Sequence, residues 1–194
     1  RQRGRLRNVP VYLDSPMATS ATALLHRHAD DHKLAQHDFE TAFSEVTYVR
    51  DVEESKALSA NRYPKVIISA SGMATGGRVL HHIEAFGGSH QNTLLFSGFQ
   101  AAGTRGRKLL EGAREVKIHG RWMPIKAEVA ELAMLSAHAD SDELMRWLRG
   151  FTKAPERVFI VHGESDASEA LRERIQRELN WHASVPMQNQ EFAR

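Results

Sequence analysis

Apolar positions along this chain fall into short clusters whose spacing switches between the two-residue period of a strand and the 3.6-residue period of a helix. Residues 9–13 predict a short strand, and Asp14-Ser15-Pro16 then opens a helix with a capping side chain and a proline in its first turn. Met17, Leu24 and Leu25 continue that helix. Phe39, Phe43, Val46, Tyr48 and Val49 mark a helix running into a short strand, and residues 51–58 a small helix ahead of Pro64. The β-branched run at 65–70 predicts a buried parallel strand, followed by a glycine-rich loop and a helix over 78–83. Residues 93–97 repeat the pattern, with a loop from Gly98 to Gly106 and a helix from Arg107. Alternation over 115–119 and beyond Arg121 suggests a hairpin about Gly120.

The last third carries a capping-box helix from Asp140 with Glu143 three residues on, and an apolar run at 158–161. A helix marked by Leu171 and Ile175 reaches about Leu179, and an edge strand lies between 184 and 192. The chain therefore predicts an α/β fold with a mostly parallel sheet flanked by helices.

Chemistry concentrates where strands end. Ser71, Gly72, Met73, Gly76 and Gly77 form one strand–loop–helix turn, and Gly103, Thr104, Arg105 and Arg107 lie in a second. Backbone N–H groups and helix starts in such loops hold anions, and the arginine fork bonds phosphate oxygens in pairs. Tight turns needing positive φ, and solvated arginines, are the plain alternatives. Two histidines, His138 and His162, each follow a short apolar run, and imidazole at neutral pH either binds metal or donates a proton. His119, in an alternating strand, is expected at the surface or in packing and not as a ligand.

Composition narrows the classes. The 194 residues are 41% hydrophobic, enough for one or two cored domains, and 26% charged, without a low-complexity run or an internal repeat. There is no cysteine, which excludes disulfides and thiolate metal sites and fits a cytoplasmic setting. No apolar stretch approaches the roughly 20 residues of a membrane span. A net charge of +2 says little about nucleic acid, but Arg1, Arg3, Arg5 and Arg7 cluster at one end and Arg105, Arg107 and Lys108 in one loop.

Ser-Ala-His-Ala-Asp at 136–140 and Val-His-Gly-Glu at 161–164 resemble motifs B and C of the β-CASP group of metallo-β-lactamase-fold nucleases. The similarity extends to residues 11–18, 69–73 and 98–107, in order along nearly the whole chain. It implies a metal-dependent ribonuclease that hydrolyses RNA phosphodiesters in processing or decay. His138 would act beside the scissile phosphate, with Ser136 among the substrate contacts, and His162 would bind one of two zinc ions, oriented by Glu164. RNA rather than DNA rests on the resemblance alone.

The resemblance also implies a β-CASP domain over 1–135 and the C-terminal part of a metallo-β-lactamase αββα domain over 136–194. The larger metal-binding portion would lie outside this chain, which would hold only part of the zinc site and be inactive alone; the non-methionine start at Arg1 agrees. Partners implied are single-stranded RNA, the remaining metallo-β-lactamase portion and a second copy in a homodimer. His26-Arg27-His28-Ala29-Asp30-Asp31-His32 imitates the family's His-x-His-x-Asp-His signature, but an extra Asp and helical apolar spacing mark it as a solvated helix. Two rivals stand beside the nuclease: a module that binds RNA or a partner without cutting, and a nucleotide-binding transferase using the Ser71–Gly77 loop. The missing Walker lysine and ribose-binding acid count against the second.

Overall fold

A computed structural model describes residues 9–31, 36–132 and 138–192. The chain forms two compact units, residues 1–135 and 136–194. In the first, β1 (Val11–Asp14) is the central strand of a parallel sheet, between β2 (Val46–Tyr48) and β3 (Val66–Ser69). Val11 pairs in register with Val46 on one side and Val66 on the other. The connections are helical, as parallel pairing requires. Helix α1 (Pro16–Arg27) and α2 (Gln36–Ser44) lead to β2, and α3 (Val52–Ala60) leads to β3.

Local chemistry sets the helix starts. Ser15 Oγ accepts from the Ala18 N–H with Pro16 at the first turn, and Asp51 Oδ1 accepts from the Glu54 N–H.

Helix α4 (Val79–Phe86) follows β3, and β4 (Thr93–Ser97) precedes α5 (Arg105–Leu110). Strand β4 pairs in parallel with β7 (Glu128–Leu132). Between α5 and β7, β5 (Glu115–Ile118) and β6 (Arg121–Pro124) make an antiparallel hairpin. His119 and Gly120 turn it with φ of 45° and 82°, the two left-handed positions of a tight hairpin. The core of this unit joins Leu80 and Ile83 of α4, Phe96 of β4, Leu109 of α5, and Val116, Ile118 and Ile125 around the hairpin.

The second unit contains α6 (Ser141–Leu148), β8 (Val158–Phe159), α7 (Ser165–Leu179) and β9 (Ala183–Ser184), with β8 and β9 parallel. Met145, Leu148, Ile160, Ile175 and Ala183 fill its core. The capping box at α6 is complete: Asp140 Oδ1 accepts from the Glu143 N–H, and Glu143 Oε2 from the Asp140 N–H. Arg174 of α7 braces the same end, reaching Ser141 Oγ and Asp142 Oδ1, both at 2.6 Å.

Three expectations change. The parallel strands form separate small sheets rather than one, among the described residues. Strand β3 is parallel but half-exposed, with Val66 and Ile68 open on one face because no described element covers it. Helix α1 buries no residue, in keeping with the solvated helix expected there. Strands β8 and β9 are only two residues each, so the last sheet stops short of the runs expected at 158–161 and 184–192. No helix among the described residues is long and apolar enough to cross a membrane.

Candidate functional site

The two glycine loops meet. Gln100 is buried and its Nε2 donates to the carbonyl of Gly72 across the gap and to those of Gly98 and Phe99 in its own loop. The Gly106 N–H donates to the Met73 carbonyl at 3.0 Å. Arg105 completes the join: Nε donates to the Lys117 carbonyl at 2.6 Å, and Nη1 to those of Ala74 and Thr75 at 3.2 and 3.3 Å. The residues following β3 and β4 thus form one continuous rim.

Several groups expected to meet phosphate are engaged within that rim. Ser71 Oγ accepts from the N–H groups of Thr75 and Gly76 at 3.1 and 3.3 Å, so the serine fills the nest that an anion would have used. The first N–H groups of α4 are also taken, Val79 by the Ala70 carbonyl and Leu80 by that of Gly77. Thr104 is an N-cap, accepting from the Arg107 N–H, so α5 begins at Arg105, two residues earlier than expected. Arg107 pairs with Glu111 at 2.7 Å, one helical turn on.

The glycines divide into two kinds. A Cβ at Gly77, where φ is +79°, would lie 2.6 Å from the Ala70 carbonyl oxygen, and one at Gly106 would overlap Gln100 Oε1. These two are packing requirements. Gly72, Gly76 and Gly103 face open space, where a polymer backbone can approach closely.

Beneath the rim lies a buried polar cluster that the sequence did not announce. The carboxylate of Asp14, fully buried at the end of β1, accepts from Ser55 Oγ at 2.5 Å, Arg78 Nη1 at 2.5 Å and His82 Nε2 at 2.7 Å. A carboxylate only accepts, so His82 carries its proton on Nε2, and Nδ1 accepts from Ser59 Oγ at 3.0 Å. Ser69 Oγ donates to the Asp14 carbonyl. Burial pushes the Asp14 carboxyl up, but the hydrogen bonds from Ser55, Arg78 and His82 outweigh it and hold it below its ordinary range. Burial keeps His82 neutral, lowering it against the pull of Asp14. The cluster ties β1, α3 and α4 together and fixes the base of the Ser71–Gly77 loop.

In the second unit, exposed His138 precedes the N-cap Asp140 by two residues. His162 sits between β8 and α7 on a left-handed backbone, φ 66°, and is also exposed. Gly163 follows because a side chain there would run into Ser168 Oγ. Glu164 is the N-cap of α7, its carbonyl accepting from the Ser168 N–H. Zinc sites use three or four protein ligands, so His162 alone does not complete one. Ser136, the approach to His138 over 133–137, the basic cluster at Arg1–Arg7 and His32 lie outside the described residues. His28 instead pairs with Asp31 where α1 ends in a single 3-10 turn, consistent with a solvated helix rather than a metal loop.

A family model described as Beta-Casp domain matches residues 1–109, and one described as Zn-dependent metallo-hydrolase RNA specificity domain matches residues 122–186. Among curated proteins, the chain is 38% identical to Ribonuclease TTHA0252 of Thermus thermophilus over 86% of its own length and 39% of the relative's. It is 32% identical to Transcription termination factor FttA of Methanosarcina mazei, covering 92% of the chain and 30% of the relative. It is 30% identical to an RNase J-like protein of Methanocaldococcus jannaschii, covering 95% and 42% respectively. The chain thus spans well under half the length of these relatives.

Proposed function

The chain belongs to the β-CASP family, and from that premise we propose that it is part of a metal-dependent ribonuclease. The reaction is hydrolysis of RNA phosphodiesters in processing or decay. Residues 1–135 then correspond to the β-CASP domain and 136–194 to the C-terminal part of a metallo-β-lactamase domain, in a cytoplasmic enzyme that works with two zinc ions. The observation that carries this reading is the single rim built from Gly72, Met73, Gln100 and Gly106. Its open glycines and flanking Arg105 and Arg107 suit a single-stranded polyanion better than a small apolar ligand. Ser71, Gly77, Thr104 and Arg105 shape the rim, while Gly72, Gly76 and Gly103 leave its open face to the RNA, with Arg107 beside them.

His162 is assigned as a zinc ligand, oriented by Glu164. Bound zinc would activate water and stabilise phosphate charge. His138, with Ser136 beside it, would donate a proton or a hydrogen bond to the leaving oxygen. His162 is the one such ligand assigned among the described residues, so the other ligands of that ion would come from the remainder of the enzyme.

The test is cleavage and RNA affinity of the complete enzyme carrying Gly72→Leu, which fills the open space above the rim without disturbing a close contact. RNA affinity should fall at least tenfold with the fold intact; unchanged affinity and cleavage would sink the rim assignment. A second reading, binding of RNA without cutting, draws support from relatives named as transcription termination factors as well as ribonucleases. Tight RNA binding with no cleavage by the complete protein at saturating zinc would favour it.

A further inference from the structure

His81, Glu84 and His119 come together in the first unit, and each offers one ligand atom within 4.8 Å of the others. His81 and Glu84 stand at i and i+3 on α4, hence on one face of the helix. His119 arrives from the β5–β6 turn. Its Nδ1 lies 3.0 Å from Glu84 Oε2, and His81 Nδ1 lies 3.7 Å from the same oxygen. Ligand atoms of a tetrahedral zinc site, each about 2.0–2.1 Å from the metal, stand roughly 3.3 Å apart. The two measured edges bracket that spacing.

Three further features favour an ion over a chance cluster. The two imidazoles stack, with centroids 4.7 Å apart and planes 28° from parallel, which turns both Nδ1 atoms toward one carboxylate. Glu84 Oε1 is buried and has no hydrogen-bond partner among the described residues, leaving a carboxylate oxygen that a cation would compensate. His119 also occupies a left-handed backbone position that asparagine or glycine fills more easily, so the turn holds an imidazole where a smaller residue would close the hairpin with less strain.

We propose that His81, Glu84 and His119 form a binding site for one divalent transition-metal ion of the zinc class, distinct from the histidines of the second unit. Two imidazoles and a carboxylate are borderline-soft donors suited to such an ion rather than to calcium or magnesium. Both histidines are substantially solvent-exposed, so water completes the coordination, and the bound ion clamps α4 to the hairpin.

The experiment is a titration of zinc chloride into the dialysed, untagged chain by calorimetry, with cobalt(II) absorption reporting four-coordinate geometry. The expected result is one binding event that weakens at least tenfold in His81→Ala, Glu84→Gln and His119→Asn, and is unchanged in His90→Ala, which removes an exposed histidine with no part in either site. Asparagine tolerates the left-handed turn, so His119→Asn removes the ligand without removing the hairpin, which circular dichroism verifies. Affinity unaltered by the three ligand substitutions, or no binding at zinc on the order of 100 μM, overturns the proposal. Because the readout is ion occupancy and not RNA cleavage, its outcome is independent of the nuclease reading.

Discussion

Replacing Asp14 with alanine should be among the most damaging single changes in this chain. It strips the acceptor from three donors at once, leaving Ser55, Arg78 and the buried His82 without their carboxylate. Removing one member of a buried ion pair costs about 3–5 kcal/mol, because the remaining groups keep their desolvation and lose their partner. Ser55→Ala, which deletes one neutral donor, should cost only about 1 kcal/mol. With a urea dependence near 2 kcal/mol/M, the larger loss lowers the unfolding midpoint by roughly 2 M. Urea titration followed by circular dichroism measures the midpoint, and hydrogen exchange on peptides spanning β1 and β3 localises the loss. Pairing Asp14→Ala with His82→Ala should give non-additive losses, since the two share one network. A loss below about 1 kcal/mol in Asp14→Ala, or strict additivity in the pair, would refute the view that this cluster anchors the first unit.

The same cluster makes the chain sensitive to acid. His82 titrates below its ordinary 6.5 when folded, so below that pH the unfolded chain binds a proton that the fold refuses, and stability falls. Asp14 titrates below 3.8, so its contribution is present above that pH and disappears as pH drops through the folded value. Thermal midpoints should therefore decline in two stages, and His82→Gln should lack the first; an unaltered profile in that variant counts against the assignment. Gly77→Ala should destabilise by about 1–3 kcal/mol through its left-handed backbone and the close Ala70 carbonyl, whereas Gly72→Ala should be nearly neutral in denaturant melts. In the complete enzyme, His138→Ala should lower single-turnover cleavage while leaving zinc content intact. His162→Ala should lower both, with excess zinc partly restoring cleavage; equal zinc loss in the two would reverse the assigned roles.

What could be read from the sequence is what depends on neighbours in the chain. Ser15, Asp51 and Asp140 announce their helices because a cap and its N–H partner are three residues apart. The hairpin at Gly120 and the parallel strands at 66–69 and 93–97 were legible for the same reason. Thr104 does not announce itself as a cap because Gly106 disguises the first turn of α5 as loop. The Asp14 cluster was invisible, since its members lie 41, 64 and 68 residues from the carboxylate and no spacing rule spans that distance. The alternation over 115–119 makes His119 a strand residue, but β5 ends at Ile118 and the left-handed turn brings the imidazole to Glu84 of α4. Arg105 carried the right charge, yet its guanidinium is committed to carbonyl oxygens, and only coordinates reveal how a donor is spent.

Gln100 gives the rim a property that bears on how it can change. Its amide bonds Gly72 in one loop while its oxygen rests against the bare Cα of Gly106, so the two loops share a single interlocking part. Neither can be exchanged for a longer or bulkier sequence without the other. A chimera that imports the 98–106 segment from a relative should fold only when the matching 71–77 segment travels with it, so the pair forms one inherited cassette.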